Sequence, residues 1–178
     1  MTLKPTIFKF RISLSDLNRD YYDMLNLTLA HHPSETTECM MVHVLAYCIN
    51  AQEFLTFTKS LSNVEHPDIW AITLDEQIAL WIDIGEPNVD RVKKACRQSQ
   101  AVKVYSFNTK SNAWWDQDEN KLKRLDAEYF RFEWTDIVAL ANLVERSMNF
   151  SVTITENSAY IATKLGECEI PWQALNEN

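Results

Sequence analysis

Apolar and polar residues alternate over several separate stretches of the chain. Residues 6–14 set Ile7, Phe8, Phe10, Ile12 and Leu14 among polar neighbours, and residues 21–29 repeat the pattern. The run Asp16-Leu17-Asn18-Arg19-Asp20 between them has turn composition, so the amino-terminal part predicts an antiparallel hairpin. Further on, Ile78, Leu80, Ile82 and Ile84 alternate with Ala79, Trp81 and Asp83, the period-two signature of a strand with two distinct faces. Gly85-Glu86-Pro87 stops it, since proline has no amide donor and glycine accepts turn geometry. A short helix follows, with Val92, Ala95, Cys96 and Ser99 as its buried stripe and Arg91, Lys93, Lys94 and Arg97 on its flanks.

Helical periodicity supplies the other elements. His31-His32-Pro33-Ser34-Glu35 predicts a helix start, with Pro33 at the first helical position and Ser34, Glu35 and Glu38 in the amino-terminal turn. That helix continues through Met40, Met41, Val44, Leu45 and Cys48 to about residue 51. A short strand is expected at 54–58, a loop at 59–63, and a return to the sheet over 64–70. Beyond the central strand and its helix come a strand at 102–107, a helix at 111–120 carrying Trp114 and Trp115, and a strand at 127–132. An amphipathic helix at 134–147 turns Ile137, Leu140, Ala141 and Val144 inward. A hairpin of 150–155 and 158–163 and a short piece at 168–172 complete the chain. With the terminal hairpins set aside, the order is helix, strand, strand, strand, helix, strand. The predicted architecture is a single α/β domain, a mixed, curved sheet flanked by helices, with no internal repeat or linker.

Composition narrows the function classes. Hydrophobic residues are 46% of the 178, enough for a real core and too many for a disordered chain. A net charge of −8 argues against whole-surface affinity for nucleic acid, so any such contact has to be local, at Arg91 to Arg97 for instance. Gly85 and Gly166 are the only glycines, which excludes a glycine-rich phosphate loop. Cys39, Cys48, Cys96 and Cys168 lack metal-ligand spacing, and the first three read as buried thiols. No segment approaches the roughly 18 apolar residues of a membrane span, and the amino terminus lacks an apolar run of signal type. A cytoplasmic protein with no membrane association is expected.

The candidate chemistry is carboxylate chemistry. Glu35 and Glu38 open the first helix, Asp68 follows Pro67 where a strand is entered, and Asp83 ends the central strand. Carboxylates converging on a strand end make a hard-oxygen site suited to Mg²⁺ or Mn²⁺, and with a lysine nearby such a site activates water for attack on a phosphodiester. Each residue also has a purely structural reading. Glu35 is equally a first-turn acid, Asp68 the start of a turn, and Asp83 a solvated strand end. His31 and His32 suit helix-entry packing as well as phosphate contact, His43 reads as a satisfied core histidine, and the paired tryptophans divide naturally between core and surface.

Several stretches resemble the YaeQ family of small bacterial proteins: LTLAHHPSETTECMM at 27–41, HPDIW at 66–70, LWIDIGEP at 80–87, RVKKAC at 91–96, VYSFN at 104–108, and Trp114-Trp115. The resemblance covers nearly the whole chain. It implies a variant of the restriction-endonuclease-like PD-(D/E)XK nuclease fold, and with it a metal-dependent nuclease site. Pro67-Asp68 matches the "PD" element, and Asp83-Ile84-Gly85 stands where "(D/E)-x-K" belongs, with Gly85 in the lysine position. The resemblance then implies Lys94 or Lys93 as the cation supplied from the following helix, and Glu35, within HPSET beside Ser34, or Glu38 as the helix carboxylate. Some relatives carry an acid where this chain has Ala79.

Two functions follow. One is a Mg²⁺- or Mn²⁺-dependent phosphodiesterase with Asp68, Asp83 and Glu35 or Glu38 on the metal and Lys94 or Lys93 at the water. The other is a non-catalytic module on a nuclease-derived scaffold, binding nucleic acid or a protein partner through the helix that carries Arg91 and Arg97.

Overall fold

A computed structural model describes residues 4–58 and 65–176. The loop expected at 59–63, with Val64, lies outside the described residues. The α/β class is as expected: among the described residues, mixed β-sheet is accompanied by four helices. It divides into two compact units, Met1–Ile49 with Glu133–Trp172, and Asn50–Phe132 with the carboxy-terminal residues from Gln173.

The first unit contains β1 (Thr6–Asp16), β2 (Tyr21–His31), α1 (Thr37–Ile49), α4 (Trp134–Ala141), β8 (Ser147–Thr155), β9 (Ser158–Thr163) and most of β10 (Gly166–Ala174). The strands run in the order β2-β1-β8-β9-β10. The amino-terminal hairpin forms as expected, with Phe10 opposite Leu27 and Ile12 opposite Leu25. β8 joins β1 in parallel, Phe150 beside Ile12. Phe10, Ile12, Leu14, Phe150, Val152 and Ile154 are all buried, so the period-two pattern marks one covered face.

Three boundaries differ from the sequence reading. The first helix starts at Thr37, four residues after Pro33, because the Thr36 hydroxyl caps it by accepting the Cys39 amide at 3.1 Å. Ser34 and Glu35 therefore sit in a turn ahead of the helix, with the Glu35 amide donating to the His32 carbonyl at 2.9 Å, while Glu38 is in the first helical turn. The helix expected to reach 147 ends at Ala141, since the chain must be extended by Ser147 to pair with Lys9 of β1. The short piece at 168–172 is a nine-residue strand, Gly166–Ala174. Of the thiols expected to be buried, Cys48 is, whereas Cys39 and Cys96 are half-buried.

The second unit holds β3 (Leu55–Phe57), β4 (Ile69–Ile72), β5 (Ile78–Ile84), α2 (Val89–Gln98), β6 (Val102–Ser106), α3 (Ser111–Leu122) and β7 (Glu128–Phe132). β4 pairs antiparallel with both β3 and β5, and β5, β6 and β7 run parallel, as expected where helices make the crossovers. Trp81, Val92, Ala95, Val102, Val104, Trp115, Leu122 and Tyr129 form one buried cluster. Trp115 is in that core and Trp114 packs partly against it, so the tryptophan pair divides as expected. The chain end closes this unit, with the Leu175 amide donating to the Tyr129 carbonyl at 2.8 Å.

Candidate functional site

In open α/β sheets ligands bind beyond the carboxyl ends of the parallel strands. At that end of β5 stands Asp83, 2% exposed. The neighbouring antiparallel strand brings Asp68 to it, because the Asp68 amide donates to the Ile82 carbonyl at 3.1 Å. The Asp68 carboxylate accepts the Ile84 amide at 2.7 Å. The two acids implied by the PD and (D/E)-x-K elements are thus side by side.

The turn after β5 is held on both sides. Gly85 has φ +112°, a conformation that favours glycine, and its amide donates to the Tyr105 carbonyl at 2.8 Å. The Trp114 indole donates to the Pro87 carbonyl at 2.7 Å. Asn88 then caps α2, its side chain accepting the Arg91 amide at 2.8 Å. This geometry brings Arg91, in the first turns of α2, back over the strand end. Its Nε and Nη2 donate to the two Asp83 oxygens at 2.9 and 3.0 Å, and Nη2 also reaches the His66 carbonyl at 2.9 Å. The guanidinium lies 5.9 Å from the Trp81 ring centroid. Burial pushes the Asp83 carboxyl above the ordinary carboxylate range, and the Arg91 fork pulls against that rise.

The sequence reading puts a lysine at Asp83; the structure puts Arg91 there. Lys94, itself half-buried, pairs with the exposed Glu65. Lys93 lines a groove of about 550 Å³ with Asn88, Asp90, Asp118, Lys121 and Arg124. Arg97 is exposed on the last turn of α2. Glu35, Glu38 and Ser34 belong to the other compact unit, where the Glu35 carboxylate lies 3.8 Å from Nδ1 of His43.

Asp68 and Asp83 have the hard oxygens that Mg²⁺ or Mn²⁺ prefers, but their surroundings do not fit such an ion. Both Asp83 oxygens already meet a guanidinium, whose charge opposes a second cation at the same place. One Asp68 oxygen is committed to a backbone amide.

Other buried polar groups escaped the sequence reading. The Ser106 and Ser111 hydroxyls are hydrogen-bonded to each other, and Arg131 Nε donates to Ser111 Oγ at 2.6 Å. The Glu86 carboxylate oxygens are shielded from solvent without a hydrogen bond of good geometry, and burial raises that carboxyl. Ser106 had one available signal: it is a polar residue on the apolar face of β6 that carries Val102 and Val104.

Fold and site define an α/β protein with a paired-carboxylate strand end whose inner acid is tied to an arginine. The comparisons carry this to a family. The family model described as YaeQ protein matches residues 1–172, and the chain belongs to the YaeQ family. A Salmonella typhi relative named Uncharacterized protein YaeQ is 33% identical over 178 residues, spanning 97% of this chain and 98% of its own. Its Escherichia coli K12 namesake is 32% identical over the same shares. The crystal structure of YaeQ protein from Xanthomonas axonopodis pv. citri superposes with a TM-score of 0.93 at 31% identity, covering 98% of this chain and 99% of that one. The YaeQ protein from Pseudomonas syringae gives 0.91 at 29%, covering 98% and 97%. Among the described residues no helix is long and apolar enough to cross a membrane.

Proposed function

We propose that this chain is a non-catalytic binding module on a nuclease-type scaffold, and that its partner is a protein segment of mixed charge. The observation that carries this reading is the two-pronged Arg91–Asp83 pair. It fills the place where a phosphodiesterase needs an ion and leaves neither α2 lysine at the acids. The groove that takes Lys93 between α2 and α3 alternates cations (Lys93, Lys121, Arg124) with acids (Asp90, Asp118). That mixture suits a peptide with both signs of charge better than a phosphate backbone, which calls for a continuous basic surface. The overall charge of −8 supports the same choice.

A second reading, the Mg²⁺- or Mn²⁺-dependent nuclease, is favoured by one observation, the adjacency of Asp68 and Asp83 across β4 and β5. One experiment separates the two. Purified wild type and Asp83→Asn are incubated with single- and double-stranded DNA and RNA in Mg²⁺ and Mn²⁺, alongside Mn²⁺ calorimetry. The module reading expects no cleavage and no Mn²⁺ heat that depends on Asp83. Cleavage abolished by Asp83→Asn overturns it in favour of the nuclease.

A further inference from the structure

Away from the strand end, one group of side chains in the first unit brings together three kinds of metal ligand. Glu35, Cys39 and His43 recur every fourth residue, and their ligand atoms all lie within 4.8 Å of one another. Among the described residues no other three His, Cys, Asp or Glu side chains converge in this way. We propose that Glu35, Cys39 and His43 form a binding site for a borderline-soft divalent transition-metal ion, with Zn²⁺ as the best chemical fit. The ion takes one carboxylate oxygen, one thiolate and one imidazole nitrogen, and leaves a fourth position to water. This goes beyond the proposed module function and uses none of the residues at Asp83.

The local fold explains the convergence. Side chains four apart on a helix stack on one face and lean toward its amino terminus, which sends Cys39 and His43 toward the turn ahead of α1. The Thr36 cap starts the helix where it does, and the Glu35–His32 turn holds Glu35 just outside it. A helix beginning at Pro33 would have carried Glu35 within its first turn.

The spacing suits a tetrahedral ion. With bonds of about 2.3 Å to sulfur and about 2.0 Å to nitrogen and oxygen, ligand atoms stand about 3.6 Å (S to N) and about 3.3 Å (N to O) apart. Here Cys39 Sγ is 3.9 Å and Glu35 Oε1 is 3.8 Å from His43 Nδ1. Movements of about half an ångström bring these two pairs to bonding geometry, and Cys39 Sγ and the Glu35 carboxylate, within 4.8 Å of each other, close by at most about 1.3 Å more. The Glu35 and His43 side chains are each 12% exposed, which leaves them mostly desolvated yet reachable. Without metal, His43 Nδ1 lies 2.8 Å from the Cys39 carbonyl and donates to it when it carries the proton. Metal binding exchanges that proton, and the thiol proton, for the ion. A thiolate and an imidazole select Zn²⁺ or Co²⁺ over Mg²⁺ or Ca²⁺.

The test is a Co²⁺ titration of chelator-stripped full-length protein, followed by ultraviolet and visible absorption, with Zn²⁺ as competitor. One equivalent of Co²⁺ is expected to bind with a thiolate-to-cobalt charge-transfer band that Zn²⁺ abolishes. Cys39→Ser is expected to lose the band. Both Cys39→Ser and His43→Ala should weaken binding by at least about a hundredfold, beyond the roughly ten- to hundredfold cost of disturbing an outer-shell partner. Circular dichroism in EDTA verifies that both variants fold, and Glu35→Gln, a turn substitution outside the helix, gives a third reading with an expected loss of about tenfold or more. A band that persists in Cys39→Ser puts the ion on another cysteine and overturns the proposal. So does Co²⁺ that binds without a charge-transfer band, or no binding at all.

Discussion

Arg91→Met is the sharpest perturbation of the strand end. Methionine keeps a flexible apolar stem near Trp81 but removes the guanidinium, leaving Asp83 buried beside Asp68 with its principal counter-charge gone. Removing one partner of a buried pair costs about 3–5 kcal/mol. The upper part of that range applies when the orphan is the more buried member, and here it is: the Asp83 side chain is 3% exposed against 28% for Arg91. At about 2–4 °C per kcal/mol for a chain of this size, about 4–5 kcal/mol should lower the melting temperature at pH 7 by about 8–20 °C. The pH dependence identifies the cause. Asp83 already titrates above the ordinary carboxylate range, and loss of Arg91 raises it further. A group raised in the folded state adds stability that is fully present below its unfolded value of about 4 and is lost as pH rises through the folded value. The deficit of Arg91→Met should therefore be largest near neutrality and shrink toward pH 4. Thermal melts in EDTA across that range are the assay, with the double variant Asp83→Leu, Arg91→Met expected to recover most of the loss. A variant as stable as wild type at pH 7 would refute the pairing argument. A deficit that stays constant with pH would assign the loss to packing on Trp81 instead.

Asn88→Ala removes the cap of α2 and should cost about 1 kcal/mol, read as a melting shift of about 2–4 °C with the circular dichroism spectrum unchanged at low temperature. Burial raises the Glu86 carboxyl, so its ionisation opposes folding once pH exceeds the ordinary range; Glu86→Gln should melt higher than wild type at pH 7, and the gap should close near pH 4. Burial pushes the Cys48 thiol up to about 12, so at pH 8 mass spectrometry after iodoacetamide treatment should find it unmodified in native protein and alkylated only after denaturation.

The parts of this fold that can be read from sequence are those set by local pattern. The hairpin of β1 and β2, the strand β5 and the helix α2 each carry their own periodicity and their own stop signal. Boundaries fail where two local signals compete. Pro33 and Thr36 are both good helix starters, and the hydroxyl at 36 wins because it satisfies an amide that proline leaves unanswered. They fail again where a distant partner decides. The apolar stripe of α4 continues to Val144, but pairing of β8 with β1, remote in sequence, takes the chain into a strand. In β10, Pro171 and the interleaved acids mask an alternation that buries Ile170 and Trp172. At the site, Asp68 and Asp83 were legible as motif residues. Arg91 was legible as a cation but not as the partner of Asp83, since that depends on how the turn aims the helix.

The turn itself accounts for an arginine from the helix in place of a lysine on the strand. In a strand that continued straight, position 85 would share the face of Asp83, two residues back, and a lysine there would lie beside it. This chain leaves the strand at Ile84, and position 85 takes φ +112° to start the descent toward α2. Space is not the obstacle, since a Cβ at Gly85 would meet nothing within 4 Å. The backbone is: a side chain held in a sparsely populated region costs on the order of 1–3 kcal/mol. A cation for Asp83 must then come from elsewhere, and the capped first turns of α2 point Arg91 at it. Arginine suits the position for reasons lysine does not share. Its planar fork meets both carboxylate oxygens at once, its spare donor reaches the His66 carbonyl, and its face lies over Trp81. The carboxylate, the His66 carbonyl and the Trp81 ring together hold the guanidinium in one place at the strand end.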